Sequence, residues 1–163
     1  MIVVADASAL VAELLRTRGR ELLAHPDLRV VVAEEQWDET QHELQRRIGV
    51  IVEQGRLTND HAKRLYDEVL ALVDGRVIEI VPRSLYAHME AVARRRIPRD
   101  PHDWPPVALA LVLDAGILTG DHDFLGCGCP TWTAYTAASD GTRRPERCTT
   151  ASRVCPSASG QDR

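Results

Sequence analysis

Short apolar segments that alternate with longer segments of helical periodicity are the feature that most constrains the fold of this chain. The apolar segments are IVVA at 2–5, LRVVVA at 28–33, VIEIV at 77–81 and ILT at 117–119. Unbroken apolar runs of this length are typical of strands buried on both faces of a parallel sheet. Strands that alternate with helices predict a three-layer α/β/α sandwich with a mainly parallel sheet of four to five strands.

The segments between these runs carry helix start and stop signals. Apolar residues recur with a period of about 3.6 in the two central segments, which is typical of helices with one buried face. The predicted helices run from Ala7 to Leu15, from Glu34 to the region of Gly55, from a cap at Thr58 or Asn59 to Gly75, from Ser84 to about Arg96, and from a cap at Asp103 to a stop at Gly116.

The end of the chain differs in composition from the rest. Residues 139–163 lack periodicity and are rich in Ser, Thr and Arg, which predicts a flexible tail behind a single domain at 1–138. The four cysteines, the first of which is Cys127, do not follow a common zinc spacing, and we interpret them as free thiols. No apolar run approaches the roughly 18 residues of a membrane span, and the N-terminus lacks the basic start of a signal peptide. We therefore expect a cytoplasmic protein.

Carboxylates recur where predicted strands end and helices begin. Asp6 follows the first strand, Asp121 follows the fourth, and Asp103 opens the helix that leads into the fourth strand. Because the carboxyl ends of parallel strands meet at one edge of a sheet, we expect these side chains to converge. Glu39 and Glu43 lie four residues apart on one face of the helix after the second strand, so either can supply a fourth carboxylate.

Converging carboxylates repel one another, and a hard divalent cation such as Mg²⁺ or Mn²⁺ relieves that repulsion through oxygen ligation. Such a cation can polarise a phosphate and lower the pKa of a bound water. The formal net charge of −4 argues against broad electrostatic binding of nucleic acid. It is compatible with an enzyme whose acidic cleft holds cations, because bound metals reverse the local charge.

Each carboxylate also has a purely structural interpretation. The alternatives are helix caps (Asp6, Asp103), turn residues (Asp100, Asp121, Asp123) and a solvated helix face (Glu39, Glu43). The hypothesis of a metal site therefore depends on the joint pattern of strand ends and helix starts, and on no single residue.

Two stretches of the sequence resemble the PIN-domain family. VVADASAL at 3–10 is similar to its opening motif, in which a strand runs into Asp and then a Ser or Thr. RDPHDWPPVALALVLDAGILTGDHDF at 99–124 is similar to its C-terminal half, where an Asp opens a small-residue helix and T-x-D-x-D-F follows a strand. GCGCPTWT resembles the short last strand of the family, so the resemblance covers roughly residues 1 to 135. It implies cleavage of single-stranded RNA with Mg²⁺ or Mn²⁺.

Carried over residue by residue, the resemblance implies catalytic carboxylates (Asp6, Glu39, Asp103, Asp121), metal ligands (Asp6, Asp103, Asp121, Asp123) and supporting residues (Ser8, Thr119, Glu43, Asp100). Glu39 fits the family spacing better than Glu43.

Many small bacterial PIN proteins are toxins of VapBC-type toxin–antitoxin pairs, and this chain is similar to them in size and layout. The resemblance thus implies an RNA substrate and a cognate antitoxin protein. The long middle helices also suit a homodimer.

Two other functions compete with this interpretation. A non-catalytic PIN-like binding module would lack part of the acidic set, which here looks complete. A HAD-like phosphotransferase also places an Asp after its first strand, but it needs D-x-D and a downstream Lys. Here Ser8 occupies the second Asp position, and the only lysine, Lys63, lies in the middle of a predicted helix.

Overall fold

The computed structural model describes residues 1–134 of the chain. One sheet contains the strands β1 (Ile2–Ala5), β2 (Arg29–Ala33), β3 (Ile78–Val81), β4 (Gly116–Leu118) and β5 (Thr131–Trp132). The α-helices are α1 (Ala7–Leu14), α2 (Thr17–Leu23), α3 (Glu34–Glu53), α4 (Asn59–Asp74), α5 (Glu90–Arg96) and α6 (Trp104–Leu113). The predicted tail at 139–163, its boundary with the domain, Cys148 and Cys155 lie outside the described residues.

All neighbouring strands of the sheet are parallel, and their order is β3-β2-β1-β4-β5. The chain adds β2 and β3 on one side of β1 and then returns to place β4 and β5 on the other side. The direction of winding therefore reverses between β1 and β4. In parallel sheets, ligands bind at the carboxyl ends of the strands where such a reversal occurs, and this topology fixes the position of the candidate site.

Alternating side chains divide the core into two layers, one on each face of the sheet. Val3 and Ala5 of β1 pack with residues of α1 to α4, whereas Val4 packs with residues of α5 and α6. The three-layer prediction is confirmed. In residues 1–134, no helix combines the length and apolar character needed to cross a membrane.

The segment between β3 and α5 differs from its prediction. The helix expected from Ser84 to Arg96 is α-helical only from Glu90, and two short 3-10 helices, Arg83–Leu85 and Ala87–Met89, precede it. Tyr86 separates them with a non-helical φ of −126°. Its ring is fully buried and its hydroxyl donates a hydrogen bond to Glu35. The tertiary anchoring of Tyr86 therefore overrides the local helical pattern.

Two further differences concern α2 and Gly116. The sequence analysis did not predict α2, since TRGRELL has little apolar periodicity. Gly116 does not close α6, because that helix ends at Leu113 and its C-cap is Asp114, whose φ of 49° is left-handed. Gly116 instead begins β4, where an added Cβ would lie 2.3 Å from Nε1 of Trp132. A glycine is needed there so that Trp132 can pack against the strand.

Candidate active site

The candidate site lies at the carboxyl ends of β1 and β4, at the reversal point of the sheet. Asp6 follows β1 directly, and its backbone N–H donates to the carbonyl of Leu118, 3.0 Å away. Thr119 follows β4. The pairing of the two central strands thus fixes the first carboxylate beside the loop that carries Asp121.

The Asp6 side chain is buried and held by two hydroxyl groups. Ser8 Oγ donates to Asp6 Oδ2 at 2.6 Å, and Thr119 Oγ1 donates to the same oxygen at 3.3 Å. Burial raises the pKa of Asp6 above its usual value, and the two hydroxyl hydrogen bonds oppose that rise. Ser8 and Thr119 therefore orient the carboxylate and favour its ionised form.

Asp6 does not cap α1 through its side chain, although it occupies the N-cap position. Oε1 of Gln36 instead accepts a hydrogen bond from the Ala7 backbone N–H at 2.9 Å. Gln36 is buried on α3, and its amide also donates to Glu39 Oε2 at 3.4 Å. Gln36 therefore links α3 to the end of β1. Its side chain, and not that of Asp6, accepts the hydrogen bond from the start of α1. The sequence pattern alone did not single out Gln36. An uncharged polar residue within the buried stripe of α3 is the signal that could have identified it.

Asp103 lies at the start of α6 and is half-buried. Its side chain makes no cap hydrogen bond, so the capping interpretation fails for this residue too. Burial raises the pKa of Asp103 to about 6, and the negative charges of four other carboxylates add to the rise (Asp100, Asp6, Glu39, Asp121). This shift shows that carboxylates from both halves of the sequence act on Asp103.

Glu39 and Glu43 have different surroundings although they share one face of α3. Loss of water raises the pKa of Glu39, and the charges of Asp6, Glu43 and Asp100 add to that rise. Glu43 accepts hydrogen bonds from Arg46 and Arg47 at 2.6–2.7 Å, which lower its pKa to about 2. Glu39 is therefore coupled to Asp6, whereas Glu43 is occupied by two arginines.

The loop after β4 holds Asp121 and Asp123. Asp121 Oδ1 accepts from the Asp123 backbone N–H at 2.9 Å, and the Asp121 N–H donates to Thr119 Oγ1 at 3.0 Å. The turn interpretation therefore applies to Asp121, although its charge also acts on Asp6 and Asp103. Asp123 forms an ion pair with Arg99 at 3.1 Å, a contact that the sequence analysis did not predict.

Asp100 is a turn residue, as its structural interpretation proposed. Its Oδ1 accepts from the His102 backbone N–H at 2.9 Å. Its charge nevertheless raises the pKa of both Asp103 and Glu39. Asp100 is therefore a turn residue that also lies near enough to the acidic cluster for its charge to act on it.

Comparison with known proteins identifies the family of the chain. The PIN domain family model matches residues 4–140, which is most of the chain. The chain belongs to the PIN-domain family. No curated protein matches it. The PIN domain is a nuclease fold, and its members are generally metal-dependent nucleases that typically use divalent cations.

The acidic residues of this PIN domain fit a hard cation in donor type and in charge. Within residues 1–134, no three His, Cys, Asp or Glu side chains form a ready-made group of metal ligands. The donors are carboxylates, which Mg²⁺ and Mn²⁺ prefer. The charges that raise the pKa of Asp103 are all negative, and a divalent cation offsets this kind of repulsion.

Proposed function

We propose that this PIN domain is a Mg²⁺- or Mn²⁺-dependent endoribonuclease that hydrolyses single-stranded RNA. The observation that carries the proposal is the coupling of Asp103 to Asp6, Glu39 and Asp121 at the reversal point of the sheet. A cluster of mutually repelling carboxylates in a family of metal-dependent nucleases supports the proposal of a divalent-cation site. RNA as the substrate is proposed from the family resemblance.

The residues divide into those that would hold the cation and those that position them. Asp6, Asp103, Asp121 and Glu39 are the proposed ligands, directly or through water, and Asp123 is an additional acidic position. When bound, the cation would supply polarisation of the scissile phosphate and activation of the attacking water. Ser8 and Thr119 fix the orientation of Asp6, and their hydrogen bonds favour the ionised carboxylate that ligation needs.

The arginine contacts of Glu43 and Asp123 support different roles for these two residues in the proposal. The ion pairs of Glu43 anchor it on the surface of α3, so we propose that it supports the site only indirectly. The ion pair between Asp123 and Arg99 places a positively charged side chain at the edge of the acidic cluster. Arg99 is 73% exposed and can face an RNA phosphate from there.

The activity is tested by incubating the protein with a single-stranded RNA oligonucleotide in Mn²⁺, with EDTA as the matched condition. We expect endonucleolytic products in Mn²⁺ and none in EDTA. Asp67→Asn, a change on the exposed face of α4, should leave the rate unchanged. Cleavage at the same rate in EDTA, or no cleavage of any RNA in Mn²⁺, would contradict the proposal.

The proposal extends to a toxin of a VapBC-type pair, with a cognate antitoxin, a homodimeric state and a cytoplasmic location. Similarity in size and layout supports this extension. We expect the protein to arrest growth when expressed alone and to be purified in complex with the product of a neighbouring gene when both are expressed. Growth arrest that the neighbour fails to relieve would contradict the toxin role and leave the ribonuclease proposal standing.

A further inference from the structure

An open depression of about 460 Å³ lies at the surface between α1 and the loop after β4, and we call it the Gly120 cavity. Its lining consists of Ser8, Ala9, Ala12, Gly120, Asp121 and His122. Four of its six lining residues are exposed, so it offers a ligand an open face and does not enclose it. Ser8 and Asp121 also belong to the acidic site, so the cavity is continuous with the place where the scissile phosphate would lie.

The walls of the cavity are formed by unusually small residues. Ala9 and Ala12 lie three residues apart on one face of α1, and neither side chain extends beyond Cβ. Gly120 faces them, and a Cβ added to it would meet no atom within 4 Å. A valine at 120 would therefore occupy open space at the edge of this depression without a backbone clash.

The chemistry of the lining favours a neutral planar ring over an anion. Within the described part of the chain, the lining contains no lysine or arginine that could pair with a phosphate, and Asp121, its one carboxylate, is a proposed ligand of the cation. Alanine and glycine offer apolar contact to a ring face. His122 is exposed at the cavity and carries the aromatic ring of the lining, and histidine rings stack on unpaired bases in RNA-binding proteins.

We propose that the Gly120 cavity binds the nucleobase of a nucleotide next to the scissile phosphate, with His122 stacked on the base. This inference rests on the ribonuclease activity proposed above, which it deepens by naming a base subsite. Base binding in the cavity would fix the register of the RNA strand relative to the acidic cluster. It would also make cleavage depend on the presence of a base at one defined position.

The test is an abasic scan of a cleaved oligonucleotide. After the cut position has been mapped, each nucleotide within three positions of it is replaced in turn by an abasic one. In the wild type we expect kcat/KM to fall about tenfold at one position, since stacking of a base on an aromatic side chain contributes on that scale. In Gly120→Val and His122→Ala, that position should become no more sensitive than its neighbours.

Gly49→Val is the matched control, because Gly49 also faces open space but lies on α3 away from the cavity. It should retain the wild-type scan. Thermal unfolding checks that each variant is folded, and His122→Ala carries the test if the valine variant is not. A wild type that cleaves equally well at every abasic position overturns the inference, as do variants that retain its sensitivity. A wild type that cleaves no RNA overturns the proposed function itself.

Discussion

Replacing Asp6 and Asp103 together with asparagine is expected to reduce RNA cleavage at least ~1000-fold, because each tenfold loss corresponds to about 1.4 kcal/mol and a catalytic cation supplies several kcal/mol. Asparagine keeps the shape of each side chain and removes its charge. The pKa values of both carboxyl groups are raised by burial, so their ionised forms are unfavourable in the fold. The double variant should therefore unfold at a temperature no lower than the wild type.

The two glutamates of α3 provide a graded comparison for the same assay. Glu39→Gln should lower kcat/KM by at least ~10-fold, since Glu39 is coupled to Asp6 and one ligand contributes part of the cation's binding. Glu43→Gln is the matched control, four residues along the same face, and should change the rate less than about twofold. Full activity in the double aspartate variant would refute the site assignment, and equal losses in the two glutamine variants would refute the choice of Glu39.

Gly19→Ala is expected to destabilise the protein by about 2–3 kcal/mol, which is the usual scale of overpacking in a rigid interior. Gly19 is buried on α2 where this helix packs against α1. A Cβ at this position would lie 2.2 Å from the carbonyl oxygen of Glu13 and 2.7 Å from its Cα. Both are backbone atoms, so the two helices must move apart to admit the methyl group.

Thermal unfolding measures this effect, and a domain of this size should lose roughly 5–10 °C in Tm. Gly49→Ala is the same chemical change in the middle of α3, where an added Cβ meets nothing within 4 Å. It should raise stability by up to about 1 kcal/mol through helix propensity. If both alanine variants changed Tm in the same direction, the close approach of α1 and α2 at Gly19 would be wrong.

The three-layer fold and its parallel sheet could be predicted because the strands are short, apolar and flanked by helices with one buried face. β1 and β4 both carry this pattern, and their pairing brings Asp6 and Thr119 together. A carboxylate directly after an apolar strand is a local sequence signal, and in the folded chain Asp6 does lie at the end of β1. The convergence of carboxylates around Asp103 was therefore accessible from sequence order and the rule for parallel sheets.

The missed features depend on contacts between distant parts of the chain. Gln36 caps α1 from another helix, and Tyr86 interrupts a helical segment by bonding to Glu35. Arg99 pairs with Asp123 across 24 positions. Local periodicity and propensity contain no information about such partners, because tertiary packing decides them.

The distinction between Glu39 and Glu43 has the same origin only in part. Their spacing places them on one helix face, and the arginines that bind Glu43 lie three and four residues after it on α3, which is a local pattern. The approach of Asp6 and Asp100 to Glu39 arises only when the sheet assembles. Sequence spacing could therefore identify the two glutamates and favour one of them. The effect of Asp6 and Asp100 on the pKa of Glu39 could be seen only in the folded chain.

The most direct measurement of the central claim is thermal unfolding of the wild type as Mn²⁺ is titrated. A site that binds the cation only in the native state stabilises that state by about 2.7 kcal/mol when Mn²⁺ reaches a hundredfold excess over its Kd. We predict a saturable rise in Tm of roughly 5–10 °C for the wild type, and none for the variant with asparagine at positions 6 and 103. An unchanged Tm in the wild type, or an equal rise in the variant, would contradict a metal centre at this acidic cluster.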